Sequence, residues 1–184
     1  MGPSIPATLC DRVSEQTEQI RRSNDGGVTW PTNITPPGTV DAVGALKRDY
    51  SAIAIRPDAT NQLLVGSVSG KVLRTRDQGA HWDVAGNFPD IRVMALAYGR
   101  DAVGNMNIGY AGLLNGDLWE TNHINDDNPQ WTTGPINGSW GRRKMTSIVT
   151  DPQQAGVAYL TIGDFIDGTV IGGGHHPRAR NQDP

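Results

Sequence analysis

Two octets in this sequence carry the residue types of a chemical site. They are Ser23-Asn-Asp25-Gly-Gly27-Val-Thr29-Trp30 and Thr75-Arg-Asp77-Gln-Gly79-Ala-His-Trp82, both Ser/Thr-x-Asp-x-Gly-x-x-Trp. A carboxylate beside an indole could serve a glycosidase, which needs two carboxyl groups roughly 5 to 9.5 Å apart across the scissile bond. It could also serve a calcium site. The same residues make a turn: Asp accepts backbone N–H groups ahead of it, and Gly supplies the positive-φ position. The turn reading prevails, because the outer turn of a sheet lies away from any shared cavity. It makes Asp25 and Asp77 staples and predicts that Trp30 and Trp82 fold back as core anchors, burying about 150 to 250 Å² each.

The remaining candidates are weaker. Asp49, Asp90, Asp117, Asp164 and Asp167 fall near predicted loops, but no spacing singles out a pair. Asn125-Asp-Asp-Asn128 offers oxygen ligands yet lacks the Asp-x-Asp-x-Asp-Gly order of a calcium loop, and reads as a polar insertion in a turn. His175-His176 sit in a Gly-rich stretch with no third ligand. Arg21-Arg22 and Arg142-Arg143 cannot both face one ligand, since neighbours on a strand point to opposite faces. Arg56 reads as a strand-end surface residue. Asn33-Ile-Thr35 and Asn137-Gly-Ser139 are sequons that matter only on a glycosylating route. Trp119 and Trp140 remain, and Trp140, just before a predicted inner strand, is the candidate ligand contact, able to stack on a sugar or anchor a protein. No catalytic residue, cofactor or metal is assigned.

The elements that would position these residues repeat. Trp30 and Trp82 are 52 positions apart, and a degenerate third copy runs from Thr121 to Trp131, 49 further on. Tyr50–Pro57, Val93–Tyr98 and Met145–Pro152 read as short apolar strands, each followed by a second: Leu63–Val68, Ile108–Leu113 and Val157–Ile162. Small residues at alternate positions suit close packing about an axis. Third strands, Lys71–Thr75 and Asp117–Thr121, are entered through Ser69-Gly70 and Asn115-Gly116, both hairpin signals. The octet then leads into a fourth strand. Four antiparallel strands at a period of roughly 45 to 50 residues describe a propeller blade. The fold class is therefore all-β: a partial β-propeller of about three four-stranded antiparallel blades. Residues 1–19 form a poorly structured lead whose one helical candidate is Ala7–Ile20. Residues 20–171 form one propeller segment: 20–35 an outer hairpin, 46–87 and 91–134 whole blades, 143–171 the inner strands of another. Residues 172–184 form a disordered tail. Closed propellers take four to eight blades, so three cannot close a ring alone.

Composition narrows the partners. Sixteen Lys+Arg against nineteen Asp+Glu leave a net charge of −3, without the clustered base of a nucleic-acid binder. No apolar run reaches the ~18 residues of a membrane span, so no membrane insertion is expected, and Met1–Cys10 lacks the apolar core of a signal peptide. The single Cys10 forbids an internal disulfide. Gly (23) and Pro (12) are abundant, as a turn-rich fold demands.

The octets resemble the Asp-box, or bacterial neuraminidase (BNR), repeat. The motif at 23–30 fits that pattern at every marked position, and the second departs only at His81, where the pattern has Thr. The resemblance covers roughly residues 20–170. Its layout, Ile53-Ala-Ile-Arg-Pro-Asp, Leu64-Val-Gly-Ser and Gly70-Lys-Val-Leu-Arg-Thr-Arg-Asp, is similar to repeats in sialidases, xyloglucan-cleaving glycosidases and sortilin-type receptors. It implies that Ser23, Asp25, Gly27, Thr29, Trp30, Thr75, Asp77, Gly79 and Trp82 are structural, and that the site is extracellular or in the cell envelope. The sialidase marker Arg-Ile-Pro is replaced by Ile55-Arg56-Pro57. The function implied is a non-catalytic recognition or scaffold segment binding glycan or protein through channel-mouth loops. The alternative is a fragment of a glycoside hydrolase with its catalytic residues elsewhere. Further blades come from a longer parent chain or from a homo-oligomer.

Overall fold

The computed structural model describes residues 19–36, 39–40, 46–47, 50–88, 90–133 and 143–163. Most of the helical candidate, the tail 172–184 and Trp140 lie outside these residues. Fourteen strands follow in chain order: β1 Arg21–Arg22, β2 Thr32–Asn33, β3 Thr39–Val40, β4 Leu46–Lys47, β5 Tyr50–Ile55, β6 Leu63–Ser67, β7 Lys71–Thr75, β8 Asp83–Asn87, β9 Val93–Gly99, β10 Ile108–Leu113, β11 Leu118–Thr121, β12 Thr132–Thr133, β13 Lys144–Thr150 and β14 Ala158–Gly163. No helix occurs among the described residues. Strands β5 to β8 make one four-stranded antiparallel sheet and β9 to β12 another, each in chain order. The pairs β1–β2, β13–β14 and β3–β4 stand as two-stranded sheets. The hairpin β3–β4 falls where the sequence offers no strand signal.

The repeat extends to the register. In the first full sheet Ala52 pairs with Gly66 and Ile53 with Val65, after a bulge between Tyr50 and Ala52. Ala95 with Gly112 and Leu96 with Ala111 follow the same scheme, as do Ser147 with Thr161 and Ile148 with Leu160, each beside its own bulge. Positions Ile53, Leu96 and Ile148 are therefore equivalent, and so are Leu64, Tyr110 and Tyr159. A bulge at one fixed place tightens the local twist of each first strand.

The sheets stack face to face along an arc. Strand β9 packs against β5 and β6 on one side and against β13 on the other. The approach is close because the second strands carry glycine at the contact. A Cβ at Gly66 would lie 2.6 Å from Val93 Cγ1, and one at Gly112 2.8 Å from Met145 Cβ. Side chains then reach across to carbonyls of the neighbouring sheet: Ser51 Oγ donates to Val93 O and Thr150 Oγ1 to Tyr98 O, both at 2.6 Å. Three apolar layers fill the gaps. Ile20, Ile34, Leu63 and Val65 bind the β1–β2 hairpin to the first full sheet. Leu64, Phe88, Val93, Leu96 and Tyr98 join the two full sheets, and Ala97, Tyr110 and Ile148 join the second to β13–β14. Burying such layers at about 25 cal/mol per Å² is the main force holding successive sheets together. The molecule is a partial β-propeller: two whole blades, preceded by an outer hairpin and followed by an inner one.

Candidate functional site

Each octet closes on itself. Asp25 Oδ1 accepts the Thr29 N–H at 2.9 Å and Asp77 Oδ1 the His81 N–H at 2.8 Å. Ser23 Oγ and Thr75 Oγ1 accept the N–H of Gly27 and Gly79. These glycines have φ of 91° and 95°, where a side chain would be strained. Each indole N–H donates at 3.1 Å to the glycine carbonyl of its own octet. The departure at His81 preserves the pattern, because its Nδ1 lies 2.5 Å from Asp77 Oδ2, as Thr29 Oγ1 does from Asp25 Oδ2.

These bonds set the charge of the turns. The Ser23 and Thr29 hydroxyls, followed by the Thr29 N–H, pull the Asp25 carboxyl down to about 2. The His81 N–H, followed by its ring, does the same for Asp77, also to about 2. Hydrogen bonds to the ionised form favour it. A carboxylate held so far below neutrality cannot deliver a proton near pH 7, so neither is suited to be a general acid.

Trp30 departs from its expected role. Its ring is 56% exposed, whereas Trp82 is half-buried and packs with Ile20, Ile34, Leu63 and Val65. The reason is the neighbour: Trp82 has the β1–β2 hairpin beside it, and among the described residues nothing stands in that place for Trp30. Trp119 and Trp131 join the layer between the full sheets. Trp131 meets Phe88 edge-on with centroids 5.2 Å apart and donates to Ala85 O at 2.6 Å, so the third, degenerate copy clips onto the preceding sheet rather than onto itself.

The 121–131 connection is held by arginines. Arg74, only 1% exposed, donates to the carbonyls of Ile124 and Asp126 and ion-pairs with Asp83. Arg76 reaches Asn125 O at 2.9 Å and Asp127. Arg56 is not a surface residue: it pairs with Asp58 at 2.7 Å and donates to Asn125 Oδ1 at 2.9 Å, with its side chain 15% exposed. Arg56 in turn holds the Asp58 carboxyl below its ordinary 3.8. Guanidinium groups therefore occupy oxygens of the loop that a calcium reading would have claimed. Among the described residues no cluster of three or more His, Cys, Asp or Glu could hold a metal. Sequence reasoning missed this role of Arg74, although a cation directly after the apolar pair Val72-Leu73 within a predicted strand was its signal.

A groove of about 580 Å³ lies between the β1–β2 hairpin and the open face of the first full sheet. Ile53, Ile55 and Leu63 form its floor, Arg21, Arg22 and Trp30 one wall, and Gln78 projects from the octet of that same full sheet. Arg22 donates to Gln78 Oε1, while its Nε is buried without a hydrogen-bond partner. Among the described residues no carboxylate lines the groove. Asp25 and Asp77 stand outside it. Its chemistry is apolar with a cationic rim.

No family model and no curated protein matches the chain. Among solved structures it is similar to an ancestral GH74 enzyme, with a TM-score of 0.48 and 18% identity over 64% of this chain and 16% of that one. It is also similar to the GH74 enzyme of Niastella koreensis, with a TM-score of 0.46 and 18% identity over 63% of this chain and 20% of that one. The chain thus spans a fifth or less of the length of either structure.

Proposed function

We propose that the chain is a non-catalytic recognition and scaffold segment of an Asp-box β-propeller, offering channel-mouth loops to a glycan or protein ligand. The observation that carries this reading is where its chemistry is spent. The octet carboxylates are tied to N–H and hydroxyl groups of their own turns, Arg56 and Arg74 hold a loop onto the neighbouring sheet, and among the described residues the groove beside the β1–β2 hairpin has no carboxylate in its wall. In this reading the octet residues are architectural, Trp140 is the ligand contact, and the setting is extracellular or the cell envelope.

The test is direct. Purified protein is incubated with a chromogenic sialoside and with a xyloglucan oligosaccharide, and the same protein is applied to a glycan array and used in a pull-down. Retention of a glycan or protein without product, weakened by Trp140→Ala, is expected. Product released in proportion to protein, with a proton-donor carboxylate found by mutation, would establish the glycoside-hydrolase alternative instead.

A further inference from the structure

The two ends of the arc are complementary halves of one blade. The β1–β2 hairpin carries the third and fourth strands of a blade, since the octet follows β1 as it follows β7. The β13–β14 hairpin carries the first and second strands, with the register of β5–β6. Among the described residues, β14 and β1 each have one edge without a partner.

The exposed apolar faces match in the same way. Ile53 is 53% exposed, whereas its equivalents Leu96 and Ile148, each with an inner hairpin in front of it, are 6% and 7% exposed. At the other end Tyr159 is 64% exposed, whereas its equivalent Tyr110, with a sheet behind it, is 8% exposed. Val149 beside it is likewise exposed. Among the described residues, no inner hairpin stands before β1, and β13–β14 presents one.

We infer that a second copy of this chain fills the groove: β13–β14 of one copy lies over Ile53 and Ile55 of the next, and β14 pairs antiparallel with β1. The β6–β7 register, Leu64 with Arg74 and Val65 with Leu73, carries over as Tyr159 with Arg22 and Leu160 with Arg21 of the other copy. Arg22, whose Nε is buried without a partner, then sits beside the phenol ring of Tyr159. The described residues of each copy make two whole blades and two halves, so two copies head to tail give a ring of six blades, within the four-to-eight range, and three copies would give nine. A half-turn relates the two copies, so the same contact is made twice, each hairpin of one copy meeting its complement in the other. This gives the scaffold reading its partner, and rests on the propeller arrangement rather than on any ligand.

Light scattering of the purified full chain should give the mass of two chains. Ile53→Arg and Tyr159→Asp should each give monomers, with strand content retained by circular dichroism. Equal mixing of the two variants should restore dimer, because one of the two contacts in the mixed ring is unaltered. In a Cys10→Ser background, a mixture of Arg22→Cys and Tyr159→Cys chains should form a disulfide-linked heterodimer on oxidation. A monomeric parent, or two variants that stay dimeric, would overturn the inference. So would mixing and oxidation that yield no paired species. A monomer that still retains a glycan would leave the function proposed above standing.

Discussion

Ile53 and Leu96 hold the same place in successive sheets, opposite Val65 and Ala111, yet one is half exposed and the other buried. The difference lies in what stands in front of them. Burial in this fold is a property of neighbouring sheets before it is a property of a residue, and the first two predictions follow from that.

Gly66→Ala should destabilise the protein by about 1–3 kcal/mol, the usual cost of overpacking, because the new methyl would meet Val93 at 2.6 Å. Urea unfolding reads the change. Adding Val93→Ala should make the pair less unstable than the two single costs combined, and strict additivity would place the contact elsewhere.

Trp82→Ala should cost about 3 kcal/mol, since its ring is packed between the hairpin and the first full sheet. Trp30→Ala should cost less than about 1 kcal/mol, because exposed substitutions rarely do more. Equal effects on thermal midpoint would show that exposure does not separate the two rings.

The octets predict an acid limb. The Asp25 and Asp77 carboxyls are lowered from 3.8 to about 2, so the stability they lend is full above about pH 4 and is lost as pH falls through about 2. Asp25→Asn and Asp77→Asn should each be less stable than the parent at neutral pH, with a gap that narrows toward pH 2. Both turns face solvent, so the gap should be modest. A gap constant across that range, in denaturant titrations at stepped pH, would mean the bonds do not depend on charge.

Arg74→Met removes the donor to the Ile124 and Asp126 carbonyls. A loss of about 1–3 kcal/mol is expected for the buried Ile124 carbonyl left unpaired. Amide exchange should speed up at residues 124–128 while β9 and β10 stay protected. Arg76→Met, at an exposed site, should cost less than about 1 kcal/mol.

Tyr98→Phe should be stabilising by about 1 kcal/mol, because the Tyr98 hydroxyl is buried without a hydrogen-bond partner. Burial pushes this phenol well above the ordinary 10.0. The folded state therefore favours the neutral form, and stability present below pH 10 declines as pH rises beyond it. The variant should lose less stability in alkali, as followed by ultraviolet difference spectra and unfolding midpoints.

Strands were legible where their signals are local. Lys71–Thr75 and Ile108–Leu113 stand where alternation and the Ser69-Gly70 and Asn115-Gly116 turns place them. The bonds inside each octet span four residues or fewer, so residue type alone suggests them. What escaped is long-range. Arg56 meets Asn125 across 69 positions and Arg74 meets Asp126 across 52, and no pattern near either arginine shows a loop arriving from the next sheet. The groove escaped for the same reason, since Ile53 is an ordinary strand residue until its missing neighbour is noticed. The β3–β4 hairpin is too short to carry a pattern of its own.

The glycine of each second strand meets a bulky side chain at the start of the next first strand, Gly66 with Val93 and Gly112 with Met145. Because both junctions use the same repeat positions, a unit inserted by tandem gene duplication would arrive with compatible surfaces on either side. Copy number in such an arc can then change through recombination in the connecting loops, with no compensating substitution inside any unit.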